Sequence, residues 1–244
     1  MRHSSAAFNR LELVVVLGLT FVLFCIAFLL LSRSHVDTPY VDKQVTQRIT
    51  CENNLKQLGC AYRIWENDNG NRYPFDTTVV NGGWNDLLSR RNAGAYCWTN
   101  YALMANELGS ARVLACPLDI RKPAADFAAF TNNTVLSYFV GVQANDNNPK
   151  SILGGDRNLG PGEAPDSTYG FSPENGNGND VVITGAVSWS LKMHSKGNPA
   201  GAGYVLLGDG RVQSASSGEF RTNLLQAALA RDATNPVGLR VIFP

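Results

Sequence analysis

The sequence predicts an α+β protein: a long, largely apolar N-terminal helix, a second and amphipathic helix, and a head in which short helices accompany an antiparallel sheet. Three observations carry that expectation. Leu13–Leu31 is a run of nineteen residues without a charge. Between residues 39 and 67 apolar side chains recur at three- and four-residue steps, the spacing of one helix face. Towards the carboxyl end, short β-branched and aromatic runs alternate with Gly, Asn and Asp, which punctuate hairpins.

From Phe8 to Ser32 is 25 residues. As a helix this gives about 37 Å, more than the roughly 30 Å hydrocarbon core of a bilayer. The reading is therefore a single membrane pass over residues 8–32, preceded by a short leader at residues 1–7. Arg2 and Arg10 lie before the apolar run, whereas Arg33 behind it is accompanied by Asp37 and Asp42, so the positive-inside rule gives a weak preference for a cytoplasmic amino terminus. A cleavable secretory signal would need a shorter apolar region and an A-x-A-like site after it. Leu29-Leu30-Leu31-Ser32-Arg33 offers none.

Beyond the apolar run the chain divides into residues 33–67, a polar break and amphipathic helix, and residues 68–244, the head. Thr38 followed by Pro39 reads as an N-cap with proline at the first helical position. Val41, Val45, Ile49, Cys51, Leu55, Leu58, Tyr62 and Trp65 then form the apolar stripe, which stops at Asn67-Asp68-Asn69-Gly70. Between Asn145 and Asp180, 22 of 36 residues are Gly, Asn, Pro or Asp, a composition that predicts a surface loop. Val181–Ile183 and Val187–Leu191 read as strands. Tyr204–Leu207 and Arg211–Ser214 read as a hairpin joined by Gly208-Asp209-Gly210, whose glycines supply positive φ. Ser217 or Gly218 caps a last helix through Phe220, Leu224, Ala228 and Arg231, and Leu239, Val241 and Phe243 alternate as a terminal strand.

Overall the chain is 44% hydrophobic and 17% charged, an ordinary globular composition that excludes wholesale disorder. After residue 32 there remain 19 Lys/Arg against 19 Asp/Glu. No basic field attracts nucleic acid.

The segment Ala7-Phe8-Asn9-Arg10-Leu11-Glu12-Leu13-Val14-Val15-Val16 resembles the prepilin signal of type IV pilins and type II secretion pseudopilins. In that family a short basic leader ends in a small residue, the mature chain starts with Phe, and a Glu stands fifth. Counting from Phe8, Glu12 is the fifth residue. Ala7 stands where Gly is usual, and Leu29 where many pilins carry Pro. The resemblance implies cleavage between Ala7 and Phe8 by a prepilin peptidase, methylation of the new amine, and a role for Glu12 in assembly. It further implies an anchor in the inner membrane with a cytoplasmic N-terminus and a periplasmic or extracellular head. Its partners would be the peptidase, an inner-membrane assembly platform and other pilins or pseudopilins.

A second resemblance, to a subgroup of large pilin-like proteins, rests on several segments. These are Cys51-Glu52-Asn53-Asn54-Leu55-Lys56-Gln57-Leu58-Gly59, Trp65-Glu66-Asn67-Asp68, Tyr73-Pro74, Leu114-Ala115-Cys116-Pro117, Ser137–Gly141 and Gly155-Asp156-Arg157-Asn158-Leu159. Heads of that subgroup continue from the helix into an antiparallel sheet. His194 with Asp209-Gly210 resembles its H-x9-DG element, with a longer spacing here.

The inventory for catalysis is thin. The three histidines are His3, His35 and His194, and no hydrolase, metalloprotease, phosphate-loop or dinucleotide motif is complete. Cys97-Trp98 with His194 faintly suggests a thiol hydrolase but lacks the flanking signature, and Asp209 reads as a turn residue bonding its own backbone. The chain is thus expected to be non-enzymatic. Five cysteines include no C-x-x-C pair and no Cys/His cluster at metal spacing, so neither a structural zinc nor any other metal site is expected. Cys51 and Cys60 project about 180° apart on one helix and cannot bond each other. Cys97 with Cys116 is the candidate disulfide. No cofactor is expected; calcium is an alternative suggested by the family and by Asn67–Asn71, although no loop with calcium-binding register is present. The rival to a filament subunit is a membrane-tethered binding or sensor domain using Trp84, Trp98 and Trp189 to stack on glycans.

Overall fold

The computed structural model describes residues 9–32, 43–195, 198–230 and 238–244, and the chain forms two compact units, residues 1–42 and residues 43–244. The expected leader with Ala7 and Phe8, the polar break and the Thr38-Pro39 cap lie outside the described residues.

In the first unit, helix α1 spans Arg10–Ser32. Its first intrahelical bond runs from Leu13 N to Asn9 O at 3.1 Å. Glu12 Oε2 accepts from Asn9 N at 3.1 Å, so a carboxylate satisfies one of the donors that a helix start leaves free and sits where the helix dipole favours a negative charge. Among the described residues no helix is long and apolar enough to cross a membrane.

The second unit is the α+β head. Helix α2 (Lys43–Asp68) buries Cys51, Leu55, Leu58, Tyr62 and Trp65, the expected stripe, together with Asn54, Gly59, Ala61 and Glu66. Val45 and Ile49 from the same stripe are exposed, because the packed face begins one turn later. Short helices α3 (Cys97–Ala102) and α4 (Ala105–Leu108) follow among several 3-10 turns.

The sheet contains β1 (Tyr138–Gly141), β2 (Ile152–Asp156), β4 (Asn179–Ile183), β6 (Ala202–Leu207), β7 (Val212–Ser216) and β8 (Leu239–Phe243), with β3 (Leu159–Pro161) and β5 (Val187–Trp189) forming a separate ribbon. Its order is β4-β8-β1-β2-β6-β7, and every neighbouring pair is antiparallel. Successive strand residues point to opposite faces, and here both faces are covered. Tyr138, Val140, Leu153, Leu206 and Ile242 join the core beneath α2. Phe139, Ile152, Val205, Val241 and Phe243 join a second core with Trp189 and Phe220. The head is a three-layer structure with the sheet in the middle.

Two sequence expectations are corrected here. The glycine-rich stretch 145–180 is not one surface loop: it holds β2 and β3 and the start of β4, and all five residues of β2 are buried. Gly155 serves close packing, since a Cβ there would lie 2.7 Å from Tyr204 O and 2.8 Å from the Phe139 ring. The last helix is capped by Ser216, one residue earlier than expected, in a capping box with Glu219. From there α5 (Ser217–Glu219) passes through a π-helical segment (Phe220–Leu225) into α6 (Gln226–Ala230). The β6–β7 hairpin forms where expected, but of its two turn glycines only Gly210 takes a positive φ, 83°.

Candidate functional site

Four of the segments that carry the second resemblance, those with Cys51, Cys116, Tyr138 and Asp156, meet at the end of β2. Asp156, Arg157 and Asn158 are consecutive and fully buried, and each ties a different part of the chain. Asn158 Nδ2 donates to Ser190 O at 3.3 Å and Lys192 O at 3.1 Å, which fixes the loop bearing His194. Met193 in that loop adopts φ 51°, a conformation that costs an L-residue about 1–2 kcal/mol and is held by this surrounding network.

Arg157 reaches the other way. Its Nε donates to Asp119 Oδ2 at 2.7 Å and its Nη2 to Asp119 Oδ1 at 2.8 Å, a bidentate pair with both side chains fully buried. The guanidinium carbon lies 3.6 Å from the Tyr169 ring centroid. Burial works against the charged form of Asp119, but the hydrogen bonds and charge of Arg157 outweigh it and hold the carboxyl below its ordinary value. Arg121 beside them donates to Leu136 O at 2.6 Å and Pro173 O at 2.7 Å. Burial and then the like charge of Arg157 lower its pKa to about 10.

Asp156 faces α2. Its Oδ2 accepts from Tyr204 N at 2.7 Å and lies 3.3 Å from His194 Nε2. The same Nε2 is 3.4 Å from Cys116 Sγ, and the Tyr204 ring packs edge-on against the imidazole at 4.7 Å. Cys116 is bonded to Cys51 of α2, with a Cα–Cα distance of 5.1 Å; Cys51 Sγ also lies 3.5 Å from Tyr138 OH. One ligand-type atom from each of Cys51, Cys116, Asp156 and His194 lies within 4.8 Å of all the others, and all four residues are buried. Two side-chain atoms of this cluster, Asp156 Oδ1 and His194 Nδ1, are buried without a hydrogen-bond partner.

The expected Cys97–Cys116 disulfide is therefore corrected to Cys51–Cys116. Cys97 is a buried free thiol whose Sγ donates to Ile242 O at 3.4 Å, and burial pushes its pKa up; the sulfur beside His194 Nε2 is that of Cys116. Asn54, three residues further along α2, donates to Ala115 O at 3.2 Å, a second tie between α2 and the segment that bears Cys116. Cys60 is exposed and free.

His194 is buried, but it does not meet Asp209. Asp209 closes its own turn, accepting from Arg211 N at 3.0 Å and Arg211 Nε at 2.6 Å, and Gly210 completes that turn. Glu12 stands in α1, in the other unit. Trp84 and Trp189 are fully buried, which removes two of the three proposed glycan-stacking surfaces. Sequence reading missed Cys51 and Asp156 as site residues, although both lie in segments singled out for the resemblance. No protein-family model, no curated protein and no solved structure matches the chain.

Proposed function

We propose that the chain is a non-enzymatic pilin-like subunit, processed before Phe8, which assembles through its N-terminal helix into a type II secretion pseudopilus or type IV pilus-like filament. The observation that carries this reading is Glu12. It stands in the first turn of α1 and is the sole charged residue from there to Phe28, in register with the family pattern counted from Phe8. An amphipathic helix leading into an antiparallel sheet is the head architecture that the resemblance implies. A disulfide in the head supports an oxidising compartment, hence a head on the outer side of the inner membrane.

In a filament the apolar helices would pack together and the heads would coat them. An unpaired carboxylate in that helix core is expensive, and the amine of a neighbouring subunit's Phe8 is the charge that offsets it. Such a charge-assisted pair contributes about 1.5–3 kcal/mol. Glu12→Leu is accordingly expected to insert and be cleaved normally, yet to enter filaments about tenfold or more less well beside wild-type subunits. Isolating sheared filaments from cells expressing tagged variant and wild type measures this; equal incorporation removes the pairing role. Mass spectrometry of the mature N-terminal peptide separates the filament reading from a merely tethered domain, which needs no cleavage before Phe8. Ala7→Arg is expected to leave uncleaved precursor in the membrane, and normal maturation of that variant would sink the prepilin reading.

A further inference from the structure

We propose that Cys51, Cys116, His194 and Asp156 form a zinc site when the disulfide is reduced, so that the head has a metal-bound reduced state and a disulfide-bonded oxidised state. Two thiolates, an imidazole nitrogen and a carboxylate are a ligand set that tetrahedral Zn2+ favours. For bonds of roughly 2.0–2.3 Å, the edges of a zinc tetrahedron are about 3.3–3.8 Å. His194 Nε2 already lies 3.3 Å from Asp156 Oδ2 and 3.4 Å from Cys116 Sγ. Completing the figure requires the sulfurs to part from disulfide bonding distance by less than about 2 Å and the remaining separations, which lie within 4.8 Å, to close to those edge lengths.

The alternative use of a cysteine, a histidine and an aspartate is a nucleophile with its base. In such a triad the two ring nitrogens face different partners, one the nucleophile and the other the carboxylate. Here a single nitrogen faces both sulfur and carboxylate, so the three groups converge on one point as ligands do. Asp156 Oδ1, fully buried and unpartnered, carries the kind of uncompensated lone pairs that a cation would satisfy. Cys116 is also among the residues lining a surface groove of about 400 Å3, with Thr50, Asn54 and Asp119.

The chemistry balances with a dithiol as reductant. The dithiol gives two electrons and two protons to the Cys51–Cys116 bond and becomes its own cyclic disulfide. Zn2+ then displaces one proton from each thiol and binds both thiolates, neutral His194 and ionised Asp156. Reoxidation by a disulfide-bearing partner passes two electrons from the Cys51 and Cys116 thiolates to the partner's S–S bond, which breaks to two thiols with two protons from water, while Cys51–Cys116 re-forms and the ion is released.

The test uses the full-length chain in detergent, either oxidised or reduced with dithiothreitol and desalted without oxygen. It is titrated with Zn2+ against a chromophoric chelator and, in parallel, with Co2+, whose thiolate charge-transfer and tetrahedral d–d absorption report the ligands. The expected result is one equivalent bound by the reduced chain and none by the oxidised chain. His194→Gln and Asp156→Asn are each expected to bind about tenfold or more weakly. Failure of the folded, reduced wild type to bind overturns the proposal, as does undiminished binding by a Cys51→Ser, Cys116→Ser double variant. Should the reduced chain unfold without metal, Zn2+ is expected to restore its circular dichroism, and failure to do so overturns the proposal equally.

Discussion

Replacing Asp119 by Asn is expected to destabilise the head by about 3–5 kcal/mol, because it leaves the fully buried guanidinium of Arg157 without its counter-charge. For a unit of this size that corresponds to a fall in Tm of about 6–20 °C. Arg157 has no route to water: Asp119 holds two of its nitrogens, Ser172 Oγ accepts from the third at 3.3 Å, and Tyr169 covers one face. A loss below about 1 kcal/mol would mean that the pair behaves like a surface ion pair and is not desolvated. The pH dependence has a definite sign. The folded-state pKa of Asp119 is depressed, so its contribution is fully present above the ordinary carboxylate range and is lost as pH falls through the folded value. Denaturant midpoints measured from neutral to acid pH are expected to fall for wild type and to lose part of that slope in Asp119→Asn.

Reducing the Cys51–Cys116 bond is the second large effect. The bond closes a loop with a sequence separation of 65, for which the chain-entropy relation gives about 4 kcal/mol. The measurement is the urea midpoint with and without dithiothreitol, in the presence of a chelator so that no ion replaces the cross-link. Peptide mapping of the unreduced protein is expected to recover the segments around residues 51 and 116 as one linked species. Cys97→Ser is expected to leave the sensitivity to reductant unchanged. A linked species containing Cys97, or a midpoint indifferent to reductant, would refute the assignment.

Much of the fold can be read from local pattern. The stripe Cys51, Leu55, Leu58, Tyr62 and Trp65 declares a helix because its spacing matches the helical repeat, and all five are buried. The β6–β7 hairpin and β8 declare themselves through alternation and turn residues. β2 does not, because Ile152-Leu153-Gly154-Gly155-Asp156 lacks β-branched residues after Ile152. Its glycines reflect the closeness of Phe139 and Tyr204, a tertiary fact that no window of sequence contains. The site was half legible for the same reason. His194 stood out as the one histidine of the head, but the only aspartate suggested for it was Asp209, from the resemblance. Asp156 lay in a stretch whose composition read as loop. The cysteine pairing depended on how α2 packs against residues 111–116, and spacing along the chain carries no information about that.

The position of β8 governs the order in which this head can be built. β1 pairs with β2 on one side and with β8 on the other, yet Gly141 and Leu239 are nearly a hundred residues apart in the chain. At about 5–20 residues per second, the flank of β1 reserved for β8 stays unpaired for about 5–20 s after β1 has been synthesised. β4, which pairs with β8, waits on the same event. During that interval the nascent chain shows an open strand edge of apolar residues, a template for mispairing or for a holding chaperone. A head with this topology closes only after β8, which joins both β1 and β4, has been delivered.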